Sequence, residues 1–427
     1  MKNEALFISI LNEELIPAMG CTEPIAIAYA ASILRHALGG EPTEISVGLS
    51  GNIIKNVKSV VVPATGGMHG IESAVSAGII ANAPHKKLEV LSVLSENDCE
   101  KIKNYKQKAQ IKIYELNSVC TFDLKLSAEY DGHSASVRIT GGHTDVCEVT
   151  LDGRSLLSEY SEQKRVDALP VTEDAEKPPL TVRDIIDFAE QTDLEELRPY
   201  LERQIELNMA IAEEGLENTY GASIGQLILA TCPHDAANLA RAYAAAGSDA
   251  RMSGCEKAVC IISGSGNQGI TASVPVIVYA REHNIDHDTL LRALIVSDLV
   301  TVHQKAGIGC LSAYCGAISA GCGCGAGISY LLGGRYYEIA HTIVNAVAIL
   351  SGTICDGAKP SCAAKIAMAV EAGIMGYNMA RTGRQFYGGD GIVTKGVENT
   401  IRNIGKLARD GMGETDKEII RIMLGEN

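Results

Sequence analysis

Residues 158–179 read SEYSEQKRVDALPVTEDAEKPP, and this stretch divides the chain into two kinds of sequence. It is polar and charged and carries Pro170, Pro178 and Pro179, so it reads as a linker. Before it, short runs at 44–49, 57–62, 88–94, 110–116, 122–130, 134–140 and 146–151 look strand-like, several alternating apolar and polar residues. Helix-like runs at 70–82 and 96–105 fall between them, and residues 2–37 are helical in spacing but broken by Pro17, Gly20 and Pro24. After it, from Thr181 on, nearly every segment has helical spacing: 181–190, 193–214, 219–231, 234–246, 269–283, 288–304, 312–332, 335–352, 361–380 and 396–411. The fold class is therefore α+β, with an N-terminal helix and α+β domain followed by a mainly helical domain. The expected boundaries are 1–40 for the N-terminal helical segment, packing on the catalytic domain, 41–165 for the α+β domain and 176–427 for the helical one.

The composition narrows the functions. With 46% hydrophobic and 21% charged residues, 427 residues suffice for more than one sizeable core. A net charge of −15 without a Lys/Arg cluster argues against nucleic acid and against an anionic membrane surface as partners. No apolar run reads as a transmembrane helix. An anionic small molecule would need local positive groups or helix N-termini. The 43 glycines and sparse aromatics, with no Trp and four Phe, predict closely packed helices, which leave room for a homo-oligomer. The N-terminus carries acids inside its apolar pattern and is no signal peptide, so the 13 cysteines point to a reducing cytoplasm and to core thiols, metal ligands or reactive groups.

Three of these cysteines stand apart. Cys355 and Cys362 flank CDGAKPSC, where Gly357 and Pro360 favour a turn, and Cys315 lies upstream in LSAYCGA. A turn can aim two thiolates at one point, and a third would complete three ligands to a four-iron cluster. That leaves one iron open as a Lewis acid. Cys322 and Cys324 follow so closely that either is an alternative ligand; Cys315 and Cys322 share a helix face. Zinc fits less well, since no paired CxxC or HxxxH partner occurs. Buried structural thiols are the plain alternative for each.

Other segments offer binding groups. GSGNQG, Gly264–Gly269, matches GxGxxG after the apolar AVCII, but the next segment, HDTLLRALIVSDLV, has helical spacing where a dinucleotide unit needs a strand. A Gly-rich turn opening a helix can still hold a carboxylate, with Ser263, Ser265, Asn267 and Gln268 adding polar side chains. Gly20-Cys21-Thr22-Glu23-Pro24 places a thiol where a helix resumes, and the helix dipole favours its thiolate. Two further loops, SGNIIKN (50–56) with Asn52 and Lys55 and PATGGMHG (63–70), suit a small ligand or are ordinary turns. His69, His143 and His303 are further polar candidates, each as well read as structural.

GCTEP at 20–24, SGNIIKN at 50–56, SDARMSG at 248–254, GSGNQGI at 264–270, LSAYCGA at 311–317, CDGAKPSC at 355–362 and the tail GIVTKGVENTIRNIGKLARDGMGETDKEII together resemble the L-cysteine desulfidase family. That family of serine-dehydratase-like proteins is related to the α chain of iron–sulfur L-serine dehydratases. The resemblance implies a [4Fe–4S] lyase, independent of pyridoxal phosphate, that converts L-cysteine to hydrogen sulfide, ammonia and pyruvate. It implies Cys315, Cys355 and Cys362 as cluster ligands and Cys21 as proton acceptor. Loop chemistry places the substrate carboxylate near Ser265, Gly266 and Asn267, with Asn52 and Lys55 as lesser candidates. Relatives often read CGC where this chain has Cys315-Gly316-Ala317, which leaves Cys322 and Cys324 open as the first ligand. L-serine dehydration and a non-catalytic iron–sulfur redox sensor are the alternatives.

Overall fold

A computed structural model describes residues 3–160, 180–309 and 311–425. The chain is α+β, in two compact units. One comprises Met19–Pro179 with Ile420–Asn427; the other comprises Met1–Ala18 with Leu180–Ile419. Beyond Tyr160 the linker lies outside the described residues; Leu157–Tyr160 is a short helix.

The first unit is built on a six-stranded sheet in the order Gln110–Glu115, Glu44–Leu49, Asp123–Tyr130, His133–Thr140, Val146–Leu151, Arg154–Ser155. Its first two strands are parallel and the rest antiparallel. Alternation puts Leu124, Leu126 and Ala128 on the same buried face as Ala135, Val137 and Ile139 of the neighbouring strand. Helix Thr22–Leu38 covers this face and is buried almost all round. Helix Ile71–Ala81 packs against it so closely that a Cβ on Gly78 would lie 2.0 Å from the Ala28 carbonyl oxygen.

Two strand expectations fail here. Residues 57–62 form only a single bridge, Val61 to His69. The run is rich in valine, yet Val60 and Val62 are buried as loop side chains, and Pro63 interrupts further pairing. Residues 88–94 fall in a kinked 3₁₀ segment, Pro84–Val93, because Leu88 and Leu91 are buried at a spacing of three rather than two. SGNIIKN, read as a loop, is the helix Gly51–Val57 behind Ser50.

The second unit is almost all helical: Glu4–Glu14, Val182–Gln191, Arg198–Glu217, Ile224–Thr231, Ala236–Met252, Gly266–Glu282, His287–Ile308, Gly316–Leu331, Tyr336–Ile349, Cys362–Arg381 and Val397–Lys406. The first of these joins it through Phe7, whose ring centroid lies 4.8 Å from that of Phe188. At its centre Gly316–Leu331 and Cys362–Arg381 run parallel along a seam of small residues. A Cβ on Gly321 would meet the Ala369 carbonyl oxygen at 2.4 Å, and one on Gly373 the Gly321 carbonyl oxygen at 2.2 Å. Parallel packing brings both N-termini, with Cys315 and Cys362, to the same end. Among the described residues no helix is long and apolar enough to cross a membrane.

Candidate active site

Three segments of the helical unit bring three thiols together. Residues 313–315 and 353–355 pair as a short antiparallel bridge: Cys315 N–H donates to Thr353 O at 3.0 Å and Cys355 N–H to Ala313 O. This pairing sets the two side chains beside each other, and their thiols share a hydrogen bond. The turn DGAKPS, with Gly357 at φ 90°, brings the chain round to Cys362 in the first turn of its helix. There Cys362 Sγ lies 3.7 Å from Gly357 O. Cys315 is the N-cap of the neighbouring helix.

The thiols resist ionisation on their own. The bond with Cys355, then burial, then the neighbouring sulfur's charge hold Cys315 well above the ordinary thiol range. Burial pushes Cys362 up, opposed by the Lys359 backbone N–H and by the charges of Lys359 and Lys365. Both lysines are held by Asp356: Lys365 Nζ sits 2.6 Å from its carboxylate, and Lys359 is paired with it as well. Burial raises the Asp356 carboxyl, but the bonds from Lys359 and Lys365 outweigh this and bring it to about 2. The set is thus three half-buried thiols with two ammonium groups beside them that would offset thiolate charge.

Among the described residues no three His, Cys, Asp or Glu side chains surround a position for a single metal ion. An all-thiol donor set, half-buried and drawn from three segments, suits an iron–sulfur cluster instead. Cys322 and Cys324 are spent differently. Cys324 Sγ donates to Gly321 O at 3.1 Å within its own helix, and burial pushes Cys322 to about 12.

GSGNQG stands beside this centre. Ser263 and Gly264 take φ of 48° and 72°, a tight turn linking Ile262 and Ser265, after which the helix begins with Ser265 as N-cap. The element after that helix is another helix, His287–Ile308, where a dinucleotide unit needs a strand. Ser265 makes no capping bond, so the N–H groups of the first turn remain open. Asn267 is turned onto helix Ala236–Met252, accepting from Ser248 Oγ at 3.2 Å. Gln268 packs against Gly316, the neighbour of Cys315: a Cβ there would lie 2.8 Å from its Nε2, and its Oε1 is buried without a partner.

The remaining candidates belong to the α+β unit. Cys21 is the buried N-cap of helix Thr22–Leu38. Asn52 and Lys55 lie on Gly51–Val57; Lys55 is buried, and Asn52 Oδ1 is buried without a partner. In the same unit, Asn56 Nδ2 donates to Glu23 Oε1 at 2.9 Å, tying that helix to the GCTEP motif. The histidines have other employment: His303 pairs with Glu398 at 2.7 Å, His143 packs on Phe122 and His69 is exposed with its Nδ1 3.2 Å from Ser59 O.

Sequence reasoning passed over Asp249 and Arg251 in SDARMSG. Both are buried in the helical unit. Asp249 accepts from Ile224 N–H at 2.6 Å; burial still lifts its carboxyl to about 6. The available signal was two charged residues inside the alanine-rich run ARAYAAAGSDARM.

Helices packed around a half-buried thiol trio make up a unit whose stretch Leu180–Ile419 falls within the match to a family of the serine dehydratase type. The family model described as serine dehydratase alpha chain matches residues 85–421, and the chain belongs to that family. Its relatives include the UPF0597 protein of Desulfitobacterium hafniense (strain Y51), 51% identical over 98% of this chain and 96% of that one. The UPF0597 proteins of Lachnoclostridium phytofermentans and Treponema denticola are 46% and 42% identical, each over 98% of this chain and 99% and 97% of their own lengths.

Proposed function

We propose that the chain is a [4Fe–4S] lyase, independent of pyridoxal phosphate, that eliminates sulfide from L-cysteine to give hydrogen sulfide, ammonia and pyruvate. The observation carrying this reading is the meeting of Cys315, Cys355 and Cys362 from three segments, with Lys359 and Lys365 beside them. These three would hold the cluster, which when bound supplies a Lewis-acidic iron with no protein thiolate of its own.

The chain's residues supply the rest. The open N–H groups at the start of helix Gly266–Glu282 hold the substrate carboxylate and lower the cost of carbanion character at Cα. Cys21, the N-cap of helix Thr22–Leu38, is the proposed acceptor of the Cα proton. The electron pair left behind forms the Cα=Cβ bond as the Cβ–S bond breaks. The aminoacrylate released then tautomerises and hydrolyses to pyruvate and ammonia.

L-serine is the second reading, favoured by the family's description as a serine dehydratase chain. Sulfur is the softer donor, which favours cysteine. Side-by-side kcat/KM for the two amino acids decides between them. The test of the whole reading is anoxic purification with iron and sulfide analysis, followed by an assay for sulfide release. Four irons per chain, lost on Cys355→Ser, and sulfide release abolished by Cys21→Ala are the expected results. Metal-free protein, or a cluster with no change in its spectrum on adding cysteine, overturns the reading.

A further inference from the structure

The guanidinium of Arg251 lies in the interior with its Nε unpartnered. The residue is 4% exposed, and its Nε has no hydrogen-bond partner. Among the described residues its side chain makes neither a hydrogen bond nor an ion pair. A buried cation in this state is costly unless an anion joins it. Its place in the last turn of helix Ala236–Met252 has a plain reading, since cations suit helix C-termini. That reading leaves its aim unexplained. A Cβ on Gly266 would lie 2.3 Å from Arg251 Nε and 2.8 Å from Cζ, so the guanidinium fills the space a side chain would take at the start of the next helix.

That start is also positive. The first-turn N–H groups of helix Gly266–Glu282 are uncapped, and the helix runs 17 residues. A guanidinium packed against a helix N-terminus is two like partial charges in contact, which only an anion between or beside them makes favourable. Two residues further on, Gln268 carries its own buried, unpartnered Oε1 and lies against Gly316, the neighbour of Cys315. The Gln268 carboxamide thus stands between the start of this helix and the residue next to Cys315.

We propose that Arg251, with the first turn of the helix beginning at Gly266, is a binding site for the α-carboxylate of an amino acid. The two guanidinium N–H directions match the two carboxylate oxygens. The assignment rests on the lyase reading only for the chemistry at the other end of the ligand.

The test uses the full chain, purified without oxygen, and calorimetric titration with L-alanine and with ethylamine. L-alanine keeps the carboxylate but has no group to be eliminated; ethylamine lacks the carboxylate. The native protein binds L-alanine and not ethylamine. Arg251→Lys weakens L-alanine about tenfold and Arg251→Gln roughly a hundredfold, the loss expected for a charge-assisted bidentate pair. Far-UV dichroism and iron content stay unchanged in both. Native protein that fails to bind L-alanine, binds ethylamine equally well, or loses nothing in Arg251→Gln overturns the proposal. Metal-free protein that still binds L-alanine through Arg251 sinks the lyase reading alone. Sulfide release with an unaltered KM in Arg251→Gln sinks the carboxylate site alone.

Discussion

Gly266 shows how one missing methyl group makes room for a charge. In Gly266→Ala the new Cβ meets the Nε of Arg251 at 2.3 Å and a Val259 methyl at 2.6 Å. Both obstacles are side-chain atoms, so the helix stays and the guanidinium moves. On the proposed lyase reading, KM for L-cysteine should rise about tenfold or more, with kcat less affected and far-UV dichroism unchanged; an unaltered KM removes the guanidinium from the site. Asp298 in helix His287–Ile308 makes a different point, about stability. It is wholly buried, accepts one bond from Gln204 Nε2 at 3.0 Å, and burial lifts its carboxyl to about 8, with the charge of Glu14 adding to the lift. The unfolded chain ionises this group near 3.8, the folded chain only near 8. Between those values the folded state holds the extra proton, so stability falls as pH rises and levels off beyond 8. The limit set by the shift is on the order of 5 kcal/mol. Asp298→Asn should therefore be more stable than the native chain at pH 8.5 and differ little at pH 4.5 in urea midpoints. A difference independent of pH would mean that the carboxyl ionises alike in both states.

At the scale of elements, the seam between helices Gly316–Leu331 and Cys362–Arg381 decides where two of the three thiols stand. A Cβ on Gly373 would be 2.2 Å from the Gly321 carbonyl oxygen, and backbone cannot swing aside as Arg251 can. Gly373→Ala should force the helices apart, destabilise the fold by about 1–3 kcal/mol and lower the iron bound per chain. Full iron content with lowered stability would separate the seam from the thiol geometry. Much of this was legible beforehand. The helices after Thr181 follow their apolar spacing, and the turn between Cys355 and Cys362 follows from Gly357 and Pro360. The misreadings have a common cause. Residues 57–62 and 88–94 are rich in β-branched and apolar residues, and burial selects such residues whether or not a ladder forms. Arg251 stayed hidden because its role depends on the glycine that faces it, a relation between positions 251 and 266 that no local pattern carries.

For the molecule as a whole, two units with separate cores should respond separately to separate insults. The thiol trio, the seam and Arg251 all belong to the helical unit; helix Thr22–Leu38 and its sheet form the core of the other. The chain changes units at Ala18/Met19, inside a run whose helical spacing resumes beyond it, and again at Pro179/Leu180. A ligand that binds only the folded state adds, at free concentration c, stability of RT ln(1 + c/Kd), and only to the part that folds to make its site. Scanning calorimetry of anoxic protein should accordingly resolve two transitions. Removing iron with air and a chelator should lower one of them and leave the other in place. Gly78→Ala supplies the opposite perturbation, because its Cβ would meet the Ala28 carbonyl oxygen at 2.0 Å within the α+β unit. It should lower the transition that iron removal leaves untouched. A single transition moved by both treatments would show one cooperative fold, and the two cores would then have to be read as parts of one.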